Sequence, residues 1–81
     1  NIENSKLEGF LKIYPNPAKD QINIKTDLKV NYLTISNLIG ELVVSRKHHL
    51  TNIDISNLAP DIYFIRFFVG DQQIIKKLVV N

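Results

Sequence analysis

The chain has 81 residues, of which 44% are hydrophobic, and its formal net charge is +2 at pH 7. This length fits one domain, and the absence of cysteine excludes disulfides and thiolate metal sites. The apolar fraction favours a folded domain over a disordered tail. Because the basic residues are dispersed, we expect no nucleic-acid partner. No apolar run approaches the ~20 residues of a membrane helix, so we also expect no membrane insertion.

The first third of the chain predicts a linker followed by two strands. Residues 1–9 are mostly polar, which is typical of a linker that ends at Gly9. Residues 10–14 predict a short strand, which Tyr14-Pro15-Asn16-Pro17 ends because proline cannot donate a backbone hydrogen bond. Residues 21–25 alternate between polar and apolar side chains and predict the second strand.

The middle of the chain predicts a hairpin. Residues 32–36 and 41–46 have strand character, and a turn from Asn37 to Gly40 separates them. Asn at the start of such a turn and Gly at its end are typical of a type I turn that closes on a left-handed glycine. A polar connection at residues 47–49 then leads to a further alternating segment at residues 50–56.

The longest run of β-branched and aromatic residues covers residues 58–69. One face of this strand is predicted to lie in the core: Tyr63, Ile65, Phe67 and Val69. The other face carries Arg66 and should lie nearer water, yet it is unusually apolar, so a neighbouring segment or a partner should cover it. The start of the run is similar to the corner of Greek-key sandwiches, in which a tyrosine hydroxyl anchors a loop. Its residues are Leu58, Pro60, Asp61 and Tyr63.

Gly70-Asp71 predicts a second hairpin, which leads to a last strand at residues 73–80. In total the sequence predicts seven short strands at spacings of roughly ten residues and no helix, which is typical of an all-β sandwich.

The sequence contains only weak signals for catalysis or metal binding. His48 and His49 are neighbours, and neighbouring strand residues point to opposite faces, so they cannot easily bind one ion. No Gly-x-Ser-x-Gly or comparable catalytic motif is present. We therefore expect a non-enzymatic domain without a metal or cofactor.

Four segments, taken in order, resemble the type A C-terminal sorting domains of the type IX (Por) secretion system. The opening motif is Tyr14-Pro15-Asn16-Pro17 with residues 22–24, and the second is residues 35–43 around Gly40. Residues 53–63 are similar to the third motif, and Lys76-Lys77 with residues 78–80 to the closing basic-apolar strand. Asp61 stands where the family usually has glycine. Because Asp tolerates a left-handed backbone better than most residues, we expect the corner to be kept at modest cost.

The resemblance implies an immunoglobulin-like sandwich at residues 10–81 that serves as an export address for a secreted or cell-surface protein of the Bacteroidetes. It also implies that residues 1–9 link this domain to an upstream cargo domain in the same chain. It implies two partners at the outer membrane, the type IX translocon and a sortase-like peptidase that removes the domain in or near residues 1–9. The residues expected to carry recognition are Tyr14, Pro15, Asn16, Pro17, Gly40, Lys76 and Lys77.

Residue chemistry alone leaves other interpretations open. Tyr14 to Pro17 also fits an ordinary strand-ending turn, Gly40 fits hairpin geometry, and the two lysines fit the protection of a sheet edge against aggregation. The same fold could also form an adhesion or carbohydrate-binding module on the cell surface, for which exposed aromatic residues would be the signal.

Overall fold

The alternating segments form seven antiparallel strands in a computed structural model that describes residues 9–81. The predicted linker lies, apart from Gly9, outside the described residues. The strands are β1 (Leu11–Tyr14), β2 (Gln21–Thr26), β3 (Tyr32–Ser36), β4 (Leu42–Arg46), β5 (Asn52–Asp54), β6 (Asp61–Val69) and β7 (Gln72–Val80). Residues 9–81 contain no helix of the length and apolarity that a membrane crossing requires.

The strands form two sheets, one with the order β1-β2-β5 and one with the order β4-β3-β6-β7. The chain crosses between the sheets after β2, β4 and β5, so the prediction of an all-β, immunoglobulin-like sandwich is confirmed. In a constant-type immunoglobulin domain the fourth strand joins the sheet of the first, second and fifth strands. Here β4 instead stays beside β3, its hairpin partner.

The core lies between the sheets and follows the period of two in each strand. Side chains that are fully buried include Leu11 in β1, Ile22 in β2, Leu33 and Ile35 in β3, Ile53 in β5, Ile65 and Phe67 in β6, and Ile74 and Leu78 in β7. Among the described residues no polar or charged residue is buried. Apolar burial of this kind is the main term that offsets conformational entropy in a domain without disulfides.

Strand β6 is the centre of the larger sheet and pairs with β3 on one side and β7 on the other. The predicted inward face is confirmed, because Ile65 and Phe67 are fully buried and Tyr63 is 5% exposed. On the other face Arg66 is exposed and Phe64 is 36% exposed.

The corner before β6 has the expected tyrosine bond. The Tyr63 hydroxyl donates to the carbonyl oxygen of Ala59 at 2.7 Å. The Leu58 amide donates to Ile55 O at 3.0 Å, and the Leu58 side chain packs against the core. Pro60 is exposed.

The expectation for Asp61 is wrong in one respect. Asp61 does not have a positive φ; it is the first residue of β6 and lies opposite Val80 of β7. Its carboxylate oxygen accepts a hydrogen bond from the amide of Ile62 at 2.7 Å. An extended backbone suits any residue at this position, so the corner carries no left-handed strain.

Both predicted hairpins are present. The Gly40 amide donates to Asn37 O at 3.0 Å, and Gly40 has φ of +89°, the left-handed conformation that favours glycine. The side-chain oxygen of Asn37 accepts hydrogen bonds from the amides of Ile39 and Glu41, and these bonds fix the turn. At the second hairpin Gly70, with φ of +58°, begins the two-residue connection between β6 and β7.

Candidate functional site

The Tyr14-Pro15-Asn16-Pro17 segment lies against the outer edge of β7. The side-chain amide of Asn16 donates to Lys77 O at 2.9 Å, and its oxygen accepts the Val79 amide at 3.0 Å. One side chain therefore bonds the two backbone groups that a neighbouring strand would bond. We call this pair of hydrogen bonds the Asn16 clamp. The peptide bonds before Pro15 and Pro17 are both cis.

Ala18 continues this contact with its backbone. Its amide donates to Val79 O at 2.7 Å, and its carbonyl accepts the Asn81 amide at 2.8 Å. This is a parallel bridge between Ala18 and Val80, and the methyl group of Ala18 is 1% exposed. A short polar stretch between β1 and β2 thus becomes a partial fifth strand at the edge of the four-stranded sheet.

The side chains of the opening motif nevertheless face water. Tyr14 is 50% exposed, and Pro15, Asn16 and Pro17 are exposed as well. The Asn16 side chain and the Ala18 backbone account for the position of this segment, and a strand-ending turn does not by itself require an exposed tyrosine.

The two lysines of β7 point to opposite faces, as the sequence predicts. Lys76 lies opposite Ile65 on the inward side and is half-buried, whereas Lys77 lies opposite Phe64 and is exposed. A lysine on an inward position reaches water by extending its apolar stem. Only the Lys77 side chain belongs to the outer surface beside the Asn16 clamp.

Most of the predicted recognition residues therefore lie at one edge of the four-stranded sheet, and Gly40 lies elsewhere. Asn16 bonds the backbone of Lys77 and Val79, which places the segment from Tyr14 to Pro17 at the β7 edge. Gly40 lies in the β3–β4 turn, and β4 is the opposite edge strand of the same sheet. Hairpin geometry accounts for Gly40, which has open space around its Cα hydrogens.

Residues 12–81 match the family of secretion system C-terminal sorting domains. The chain belongs to this family. No curated protein matches the sequence significantly.

The sorting domain is also similar in fold to part of a solved structure. That structure is described as PorZ, an essential bacterial surface component of the type-IX secretion system of Porphyromonas gingivalis. The similarity has a TM-score of 0.72 at 15% sequence identity and covers 96% of this chain. The chain spans only 12% of that protein's length, so the likeness concerns the sandwich fold.

Other chemistry in the sorting domain is sparse. Within residues 9–81 no three His, Cys, Asp or Glu side chains gather in a group that could bind a metal ion. The side-chain hydroxyl and the amide of Ser56 both donate to Asp54 and lower the pKa of that carboxyl. An Asp side chain that accepts hydrogen bonds from the residue two positions later is typical of a local turn, so these bonds stabilise the loop after β5.

Sequence reasoning missed Ala18 and the bonding role of Asn16. Both depend on β7, and the Asn16 contacts join positions 61 and 63 residues apart. The alternation of polar and apolar residues along a short segment cannot predict a contact between such distant positions. The available signal was an Asn between two prolines, because the prolines supply no amide hydrogens and an Asn side chain can both donate and accept in their place.

Proposed function

We propose that this domain directs a secreted cargo protein through the outer-membrane type IX machinery, which reads the surface at the edge of β7. We call this surface the motif surface; it consists of Tyr14, Pro15, Asn16, Pro17 and Lys77. A sortase-like peptidase then removes the domain in or near residues 1–9, and the cargo reaches the cell surface or the medium.

One observation carries the choice of surface. The Asn16 clamp joins the first and last motifs of the family into a single exposed patch. The Asn16 side chain fixes this patch to the β7 backbone, while the side chains of Tyr14, Pro15, Pro17 and Lys77 are exposed. Exposed side chains on a rigid scaffold are the usual form of a binding site.

The export proposal is tested by a fusion of residues 1–81 behind a periplasm-targeted reporter in a type IX-competent host. We expect the reporter at the surface or in the medium, and we expect it to remain in the periplasm of a translocon-null strain. Export that continues unchanged in the null strain would rule the proposal out.

The motif surface is tested by Lys77→Ala in the same fusion. Because the Lys77 side chain is exposed and Asn16 bonds its backbone, the variant should melt like the parent domain, since isolated surface substitutions usually change stability by less than ~0.5 kcal/mol. Export should fall severalfold. Lys76→Ala with Lys77→Ala should act in the same direction.

Lys25→Ala is the matched control, because Lys25 is an exposed strand lysine on the other sheet. It should be exported like the parent. Equal export of the Lys77 and Lys25 variants, both folded, would leave Lys77 with a role in edge protection only.

Removal by a peptidase has its own readout. Surface-exposed reporter should lack the sorting domain, and mass spectrometry of its new C-terminus should identify a cleaved bond near residues 1–9. Exported reporter that keeps all 81 residues would contradict the cleavage step and leave the export step untouched.

A further inference from the structure

The outward face of the four-stranded sheet is apolar for a surface in contact with water. Leu42 is 60% exposed, Ile75 41% and Phe64 36%. Together with Thr34 and Ser36, Leu42 and Phe64 line an open groove of about 510 Å³ across β4, β3 and β6. Exposed apolar patches of this kind on a small soluble domain mark interaction sites.

The charges on this face have one sign. Arg66 lines the groove, and Lys77 points outward beside Phe64 in the neighbouring strand. No carboxylate is among the described residues that line the groove. Glu41, in the adjacent turn, accepts a hydrogen bond from the side-chain amide of Asn37 at 2.8 Å and keeps its charge, so two cations on the face stand beside one carboxylate in the turn. The face therefore attracts a partner that carries negative charge.

Two other occupants fit less well. A second copy would place Arg66 and Lys77 against like charges, because a two-fold interface brings the same patch of both copies together. A sugar would have to stack on Phe64 alone, because Tyr32 and Phe68 stack on each other with centroids 4.2 Å apart and planes at 9°. Aromatic residues and Arg are enriched where proteins bind proteins.

This face is continuous with the motif surface. Lys77 belongs to both, since its side chain lies beside Phe64 and its carbonyl oxygen accepts from Asn16. A partner that reads the motif surface at the β7 edge can therefore extend across β6 toward β4 without leaving the sheet.

We propose that the outward sheet face, defined by Leu42, Phe64, Arg66 and Phe68, docks a protein surface of the export machinery that is apolar and carries Asp or Glu side chains. The inference rests on the proposed function and adds the chemistry of the partner. Arg66 is the central cation of the contact, and Phe64 and Leu42 supply the apolar part.

The first test compares two charge reversals in the reporter fusion. Arg66→Glu should reduce export about tenfold or more, because it replaces an attraction by a repulsion at the contact. Lys25→Glu changes the net charge of the domain by the same amount on the other sheet. Residue 25 lies opposite Lys12 in the neighbouring strand, so this variant replaces a like-charge pair by an opposite-charge pair. The Lys25→Glu domain should therefore fold at least as well as the parent and be exported normally.

The second test places a photo-crosslinking phenylalanine at position 64, with position 10 as the control. Phe10 is 61% exposed and precedes β1 of the other sheet. In cells that export the fusion, position 64 should crosslink to a protein peptide that contains Asp or Glu, and position 10 should not. Melting of each purified domain checks its fold, and Arg66→Gln replaces Arg66→Glu if the reversal unfolds the domain.

The outcomes separate this inference from the proposed function. If the parent fusion is not exported, both the proposed export function and the docking face are contradicted. If the parent is exported but the Arg66 variants match Lys25→Glu, the docking face is wrong and the export function stands. A crosslink at position 64 that is absent, that goes only to lipopolysaccharide, or that goes to a peptide without acidic residues also overturns the docking face alone.

Discussion

Tyr63 links the core to the corner loop through two different parts of one side chain. Its ring is 5% exposed among the core residues, and its hydroxyl reaches Ala59 O at 2.7 Å. The ring contributes apolar burial, whereas the hydroxyl contributes one hydrogen bond that fixes the path of the chain into β6.

Substitutions at this residue should separate the two contributions. Tyr63→Phe keeps the ring and should lower the free energy of unfolding by about 1 kcal/mol. Tyr63→Ala also removes the ring and should cost roughly 3 kcal/mol or more. Chemical denaturation of the isolated domain measures both, and equal losses for the two variants would mean that the buried ring contributes nothing to stability.

Residue patterns predicted the inward face of each strand because burial in a sandwich follows a period of two. They misjudged Asp61, because the glycine of related sequences suggested a left-handed backbone where this chain is already extended. The hydroxyl of Tyr63 was predictable from its place at the start of a strand after a turn, a local arrangement that Greek-key sandwiches share.

At the scale of elements, the segment between β1 and β2 is the unexpected one. Seven strands and both hairpins followed from the sequence, since turn residues and alternation are local signals. The sheet to which each strand belongs, and the edge that residues 14–18 cover, did not follow, because those depend on hydrogen bonds between distant positions. Edge coverage of this kind is one way in which proteins prevent unwanted strand pairing.

The Asn16 clamp makes a specific prediction for hydrogen exchange. Asn16→Ala removes the acceptor of the Val79 amide, so this amide should exchange faster with solvent, and the domain should lose about 1 kcal/mol of stability. The amide of Asn81 is an internal control, because Ala18 O accepts it independently at 2.8 Å. An unchanged Val79 exchange rate in the variant would contradict the clamp.

For the whole molecule, β7 is both part of the core and part of the motif surface. Leu78 is fully buried and Val80 is 3% exposed, while Lys77 faces water one residue away. Shortening this strand therefore damages the fold as well as the signal, and lost export in a truncated protein does not by itself locate a recognition site.

Deletion of residues 76–81 should accordingly abolish the cooperative thermal transition. It removes two core side chains, each worth about 2 kcal/mol of apolar burial, together with the strand that Ala18 bridges. The full-length double variant Lys76→Ala with Lys77→Ala is the control and should still melt cooperatively. A deletion variant that melts like the parent would disprove the core role of β7.

The Asn16 clamp also constrains the order in which parts of the domain can fold. Its two hydrogen bonds close loops of 61 and 63 residues, and such long loops have a high entropic cost before other contacts hold their ends together. The proline segment can therefore adopt its final position only after β7 has been synthesised and has paired with β6. A partial or misfolded chain would display the same residues without their arrangement, so we expect a receptor that reads the arrangement to admit finished domains and to reject incomplete ones.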